Sequence, residues 1–338
     1  MHLFNHIFKF VYNIVYLDGV LDLLIKKFDK KRNSVNISTI ASIMNNERIA
    51  LTLGDAGENH VGNQMLGEKG EIGSGMTLDD LKILKSKYEM LGYTCELIDL
   101  GATLNTASNI GRTGDITDWG FQAGVLIIRR FVKRDDRIKL YGEVTSIEWD
   151  RKYYDTRRKR VLNKHARGNL VFVDNFEQEP DYENKKGRVV DIKTLETLDR
   201  IKTSLLDGIS SGLAEGGSVT KPIEYICEGN RYYDLKKCGI GYHGDKERTR
   251  VICLSLGVDN YPMNWVWFYR SKPIAQPTEV RLNSGDVYIM SEKAVGYDWS
   301  KKIIPTLRHA AGARKYINLD KYSIPGMSGV KIKLTIKS

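Results

Sequence analysis

Beyond Lys221 the chain is a succession of short β-prone segments: "VICLSLG", "NWVWFYRS", "TEVRLNSGDVYIMSE", "IIPTLRHAA" and "VKIKLTIK". Turn residues separate them. A short strand cannot bury a face by itself, so several in a row predict a barrel or a sandwich. No internal repeat and no low-complexity tract accompanies them.

The first half reads differently. "ERIALTLGD" predicts a strand, "TLDDLKILKSKYEMLG" a helix, "TCELIDLG" a second strand and "AGVLIIRRFV" a third, apolar enough to be central. Thr77 with Asp80 three residues on is a helix-start signal, and Gly92 stands beyond the last turn. Residues 47–135 thus read as a small α/β unit of their own. They contain no complete G-x-G-x-x-G and no P-loop, so a nucleotide site is not supported. The loop "GDAGENHVGNQ" carries Asp55, Glu58 and His60 among glycines. It reads as a surface loop, with a ligand-binding loop as the alternative. Further on, Leu195, Leu198, Ile201, Leu205 and Ile209 have helical spacing and predict a core-facing stripe. Residues 1–46 hold an apolar segment broken by His6, Lys9, Asn13 and Asp18. That pattern predicts an amphipathic helix packed on the body rather than a membrane span. A membrane-surface anchor is its alternative.

A formal charge of +10 over 338 residues suits either a solubilising surface or an anionic partner, DNA or RNA above all. The stretch "RKYYDTRRKRVLNKHARGN" concentrates that charge beside Tyr153 and Tyr154. Cations interleaved with aromatics match a phosphate backbone with stacked bases. An exposed charged hairpin or helix would look the same. The four cysteines form no C-x-x-C pair, which disfavours a disulfide framework and a zinc finger. A reducing compartment, cytoplasmic or nuclear, fits best. Nothing points firmly to a membrane or to a protein partner.

The chemistry-bearing signal is "GYHGDKE". On a strand, His243 and Asp245 at i and i+2 would project to one face and could offer a nitrogen and an oxygen to one metal ion. The third ligand would come from "LRHAAG", at His309. Two histidines and one carboxylate make the facial triad of non-haem Fe(II) oxygenases, with three positions left for co-substrate and O2. Zinc hydrolysis could use the same ligands, and a structural role for the histidines is the plain alternative.

The ordered set "GNRYYDLKKCGIGYHGDKE", "VICLSLG", "LNSGDVYIMS", "RHAAG" and "VKIKLTIK" resembles the AlkB-type Fe(II)/2-oxoglutarate dioxygenases. The resemblance spans residues 140–338 and is most specific over 229–338. It implies an α+β chain: a double-stranded β-helix (jelly-roll) oxygenase domain at 140–338, with the α/β extension in front. It implies that His243, Asp245 and His309 ligate iron and that Asn230 and Tyr232 hydrogen-bond 2-oxoglutarate. The family's two last-strand arginines, which pair with the carboxylates of 2-oxoglutarate, fall on Lys331 and Lys337. Lysine keeps the charge and loses the bidentate fork, and Arg314 is the rival anchor. The implied activity is hydroxylation or oxidative demethylation of a nucleic-acid base. A protein or small-molecule hydroxylase on the same fold and a non-enzymatic nucleic-acid-binding module are the alternatives. Trp265 and Trp267 share a face and read as core filler or a stacking wall, and Tyr242 could line the pocket.

Overall fold

The computed structural model describes residues 44, 46–105, 121–218 and 224–322. Its principal strands are β1 (Arg48–Gly54), β2 (Cys95–Asp99), β3 (Gly124–Ile128), β4 (Gly168–Val173), β5 (Val189–Asp191) and β6 (Ile226–Tyr232). They continue with β7 (Gly239–His243), β8 (Val251–Gly257), β9 (Tyr261–Tyr269), β10 (Lys272–Pro273), β11 (Thr278–Leu282), β12 (Val287–Met290) and β13 (Thr306–Gly312). The long helices are α1 (Leu78–Met90), α2 (Arg134–Ser146) and α3 (Glu196–Glu215). The chain is therefore α+β and mostly β.

Eight strands form one sheet in the order β2-β3-β12-β8-β1-β6-β4-β5. Five form a second, β7-β13-β9-β10, with β11 also paired to β9. The alternation in β1, "RIALTLG", explains how the layers stack. Ile49, Leu51 and Leu53 point to one face and pack with Leu84, Leu140 and Leu205 of the helices. Arg48, Ala50 and Thr52 point to the other face and line a cavity beneath the second sheet. The result is three layers: helices, large sheet, small sheet. The central strands of the large sheet are buried on both faces, which is why "GVLII" is continuously apolar and "VICLSLG" is apolar but for Ser255.

Local signals place the helices. Thr77 caps α1, its Oγ1 accepting from the Asp80 N–H at 3.1 Å while the Asp80 carboxylate accepts from the Thr77 N–H at 2.8 Å. The expected stripe of α3 is buried at Leu198, Ile201, Leu205 and Ile209. Each such side chain contributes about 1.5–3 kcal/mol of burial, before chain entropy is counted.

The stretch 47–135 does not stand apart as expected. Strand β1 is hydrogen-bonded along its whole length to β6 on one side and β8 on the other. Strand β3 pairs with β12 and carries β2 at the sheet edge. A strand paired on both sides by the C-terminal half belongs to the same core. The expected N-terminal amphipathic segment and the "VKIKLTIK" strand lie outside the described residues, apart from Met44 and Asn46 of the former. Among the described residues no helix is long and apolar enough to cross a membrane. All four cysteines are unpaired and buried.

Candidate metal centre

A β-bulge assembles the site. At the start of β7, Gly239 pairs with Gly312 and Ile240 with Ala311; by the end of the strand the register has slipped by one, and His243 pairs with His309. Without the extra residue Tyr242 would face His309. A one-residue slip exchanges the two faces of a strand. Tyr242 is thereby turned to the outer face, where it packs with Val266, Phe268 and Leu319, and its hydroxyl donates to the Ile317 carbonyl at 3.0 Å. It does not line the pocket as expected. His243 takes the inner face.

Asp245 is not on a strand. It follows the end of β7, across Gly244, and its N–H donates to the Val295 carbonyl at 3.1 Å. Glycine is required between the two ligands, because a Cβ at position 244 would lie 2.0 Å from the Gly296 carbonyl oxygen. The tight turn brings the Asp245 carboxylate back to the histidines. Its Oδ1 lies 3.5 Å from His243 Nε2 and 3.8 Å from His309 Nε2. One ligand atom from each of the three residues falls within 4.8 Å of the others, and no other group of three or more such residues meets this spacing among the described residues.

The surroundings prepare these atoms for a cation. Nδ1 of His243 is 2.8 Å from the Gly241 carbonyl and 3.1 Å from that of His309, so a proton on Nδ1 leaves Nε2 as the free lone pair. Burial lowers both imidazoles, that of His309 to about 3, although Asp245 opposes the shift. Neutral imidazole is the ligating form. Burial works against charge on Asp245, yet His309, Arg248 and His243 hold its carboxyl below the usual range. Arg248 fixes the other carboxylate oxygen, with Nη1 at 3.4 Å from Oδ2. The same guanidinium binds Glu228 through Nη2 and donates from Nε to the Ala56 carbonyl at 2.6 Å. Two nitrogens and one oxygen, held in place by these carbonyls and this guanidinium, fit a divalent iron or zinc ion.

The triad opens into a cavity of about 800 Å³ whose wall includes Asn230 and Tyr232. The Asn230 amide is already engaged: Oδ1 accepts from Arg167 at 2.6 Å and Asn169 at 2.7 Å, and Nδ2 donates to Glu228 at 2.9 Å. Arg314 does not reach the cavity wall. Strand β13 ends at Gly312, with φ of +103°, and Arg314 starts a short helix with its own side chain exposed, while Tyr316 of that helix lines the cavity. Lys331 and Lys337 lie outside the described residues. Trp265 is the cross-strand partner of His309, and it and Trp267 are core residues.

The "ENH" segment, expected mainly at the surface, borders the cavity through Glu58, Asn59 and His60. The His60 ring lies against Tyr153, centroids 3.8 Å apart. Lys164 is buried beside them and donates to the Asn59 carbonyl at 2.6 Å and to Asn169 Oδ1 at 2.9 Å. The basic run forms a hairpin, Lys152–Asp155 with Arg160–Asn163, whose tip at Arg157, Arg158 and Lys159 is exposed. Asn63 brackets the backbone of Tyr154, and Lys185 sits over one face of its ring, 5.8 Å from the centroid. Sequence reasoning passes over Arg48, Arg248 and Lys164. For Arg48 a signal exists: one cation at an inward position of an otherwise uncharged strand.

No family model matches the chain. It is 39% identical over 274 residues to the uncharacterized protein R156 of Acanthamoeba polyphaga mimivirus, a match that covers 80% of this chain and 98% of that protein. The chain belongs to the family of this mimivirus protein.

Proposed function

We propose that this protein is an Fe(II)/2-oxoglutarate-dependent oxygenase acting on a nucleic-acid base, with a double-stranded β-helix as its core. The observation that carries the reading is the convergence of His243, Asp245 and His309 at one cavity that Asn230 and Tyr232 also line. Bound iron and 2-oxoglutarate would supply the oxidation: O2 is consumed, 2-oxoglutarate becomes succinate and CO2, and one oxygen atom enters a substrate C–H bond. On an N-methyl group the product then loses formaldehyde; on a carbon-bound methyl it remains hydroxylated.

The chain's own residues hold and orient. Arg248 fixes the Asp245 carboxylate, and the Gly241 and His309 carbonyls fix the His243 ring. The cavity could receive a base only after that base leaves its stack. The cationic hairpin beside the mouth is suited to phosphates, and the His60–Tyr153 pair offers an aromatic edge there. Buried unpaired thiols agree with a reducing compartment, cytosol or nucleus.

The test is mass spectrometry of nucleosides from DNA and RNA incubated with the protein, Fe(II), 2-oxoglutarate and ascorbate. A new or lost modified nucleoside that depends on Asp245 is expected. Succinate production without any nucleoside change would move the substrate to protein or small molecules. No succinate under any condition would leave a binding module.

A further inference from the structure

Arg48 is the unexplained charge in the cavity. It is 2% exposed, yet its Nε and Nη1 have no hydrogen-bond partner among the described residues. Buried charges are normally paired, because desolvation is otherwise uncompensated. The other buried cations of the cavity wall are satisfied: Arg248 is paired with Glu228 and Asp245, and Lys164 is hydrogen-bonded to Asn59 and Asn169. Among the described residues Arg48 has only the Tyr261 ring, 5.2 Å from its Cζ. The adjacent carboxylate does not serve it: Glu47 is taken by the Tyr141 hydroxyl and by Arg231.

Its position is informative. Arg48 is the direct cross-strand partner of Tyr232 on β6 and of Gly257 on β8, so one neighbour on its face is a phenol and the other has no side chain. Moving along the same face of β1, Ala50 stands opposite Asn230 and Thr52 opposite Glu228, the partner of Arg248. The inward face thus runs from a guanidinium whose Nε and Nη1 have no partner among the described residues, past a small residue, to Thr52 opposite Glu228. Arg48 and the triad residues His243, Asp245 and His309 line the same cavity, so a metal-bound ligand that carries a further anionic group meets a cation there whose Nε and Nη1 have no hydrogen-bond partner among the described residues.

We infer that Arg48 is the cationic anchor for the far carboxylate of the dicarboxylate co-substrate. This rests on the oxygenase reading above, and it puts the anchor on β1 rather than on the C-terminal segment or at Arg314. Tyr232 and Tyr261 flank the guanidinium and complete the carboxylate's seat.

The experiment uses the full chain loaded with Mn(II), which avoids oxidation. Binding of 2-oxoglutarate and of pyruvate, which lacks the far carboxylate, is measured by calorimetry and by the ligand-induced rise in melting temperature. In the parent, 2-oxoglutarate is expected to bind at least about a hundredfold more tightly than pyruvate. Arg48→Met should lose that preference and leave pyruvate and Mn(II) binding unchanged, while Arg48→Lys should keep part of it. The ligand-free Arg48→Met protein should melt no lower than the parent, since no ion pair among the described residues is removed; a residue serving only structure would lower it. Retention of the full preference in Arg48→Met, with its loss in Lys331→Ala or Arg314→Ala, overturns the assignment and leaves the metal centre standing. A parent that binds Mn(II) but no 2-oxoglutarate overturns both the anchor and the oxygenase reading. A parent that fails to bind Mn(II) identifies failure of the triad itself.

Discussion

His243 and His309 are direct register partners across β7 and β13, with ring centroids 4.4 Å apart, although they stand 66 positions apart in the chain. The pairing fixes two of the three candidate ligands to two hydrogen-bonded backbones, and only Asp245 arrives from a turn. Replacing either histidine with alanine should therefore abolish tight Fe(II) or Zn(II) binding without unfolding the sheet. Calorimetry with each metal, beside a thermal melt, measures this. Unaltered affinity in both variants would show that the ligands lie elsewhere.

The turn is as necessary as the ligands. Gly244→Ala places a methyl group 2.0 Å from the Gly296 carbonyl oxygen, so the segment between His243 and Asp245 must move. Metal affinity should fall by about ten- to a hundredfold, the range for disturbed ligand orientation. A variant with parental affinity would mean that the turn can shift without cost to the site.

Arg248 binds Glu228 and Asp245 while 4% exposed. Arg248→Met would leave two buried carboxylates without their cation. The expected decrease in stability is about 3–5 kcal/mol, read from urea denaturation of the metal-free protein. A decrease below about 1 kcal/mol would indicate that the pair is dispensable to the core.

Lys164 carries a pH signature. Burial pushes its ammonium down to about 7 from an ordinary 10.5, with Asp150 opposing. Between those values the unfolded chain holds a proton that the folded chain lacks. Stability contributed by this group therefore rises with pH across that window and is lowest below about 7. Lys164→Met should remove that rise, as seen in denaturant midpoints from about pH 7 to pH 10. An identical pH slope in the variant would assign the rise to other groups.

The hairpin tip should act on affinity alone. Neutralising Arg157, Arg158, Lys159 and Arg160, all exposed, should leave the melting temperature unchanged. Binding to single-stranded nucleic acid should weaken, and the salt slope should shrink by about 0.7 log unit for each phosphate no longer neutralised. An unchanged slope would make the tip a solvated surface.

The sequence by itself determined the elements and the residue types at the site. Alternation and apolar runs mark β1, β3, β8 and β9, and Thr77 with Asp80 marks the start of α1, because these signals are local. The pair His243 and Asp245, with His309 as the distant third, was legible as ligand chemistry. Tertiary structure decided the rest. Whether His243 or Tyr242 faces the cavity depends on a one-residue bulge against β13, which no local pattern encodes. Whether residues 47–135 form their own body depends on which strands flank β1, and long-range pairing chose β6 and β8. Arg48 stands out in the sequence only as the one charge of β1; the register sets it opposite Tyr232 at the cavity wall. Periodicity reports which face a residue shares with its neighbours; what that face meets is settled by partners far away in the chain.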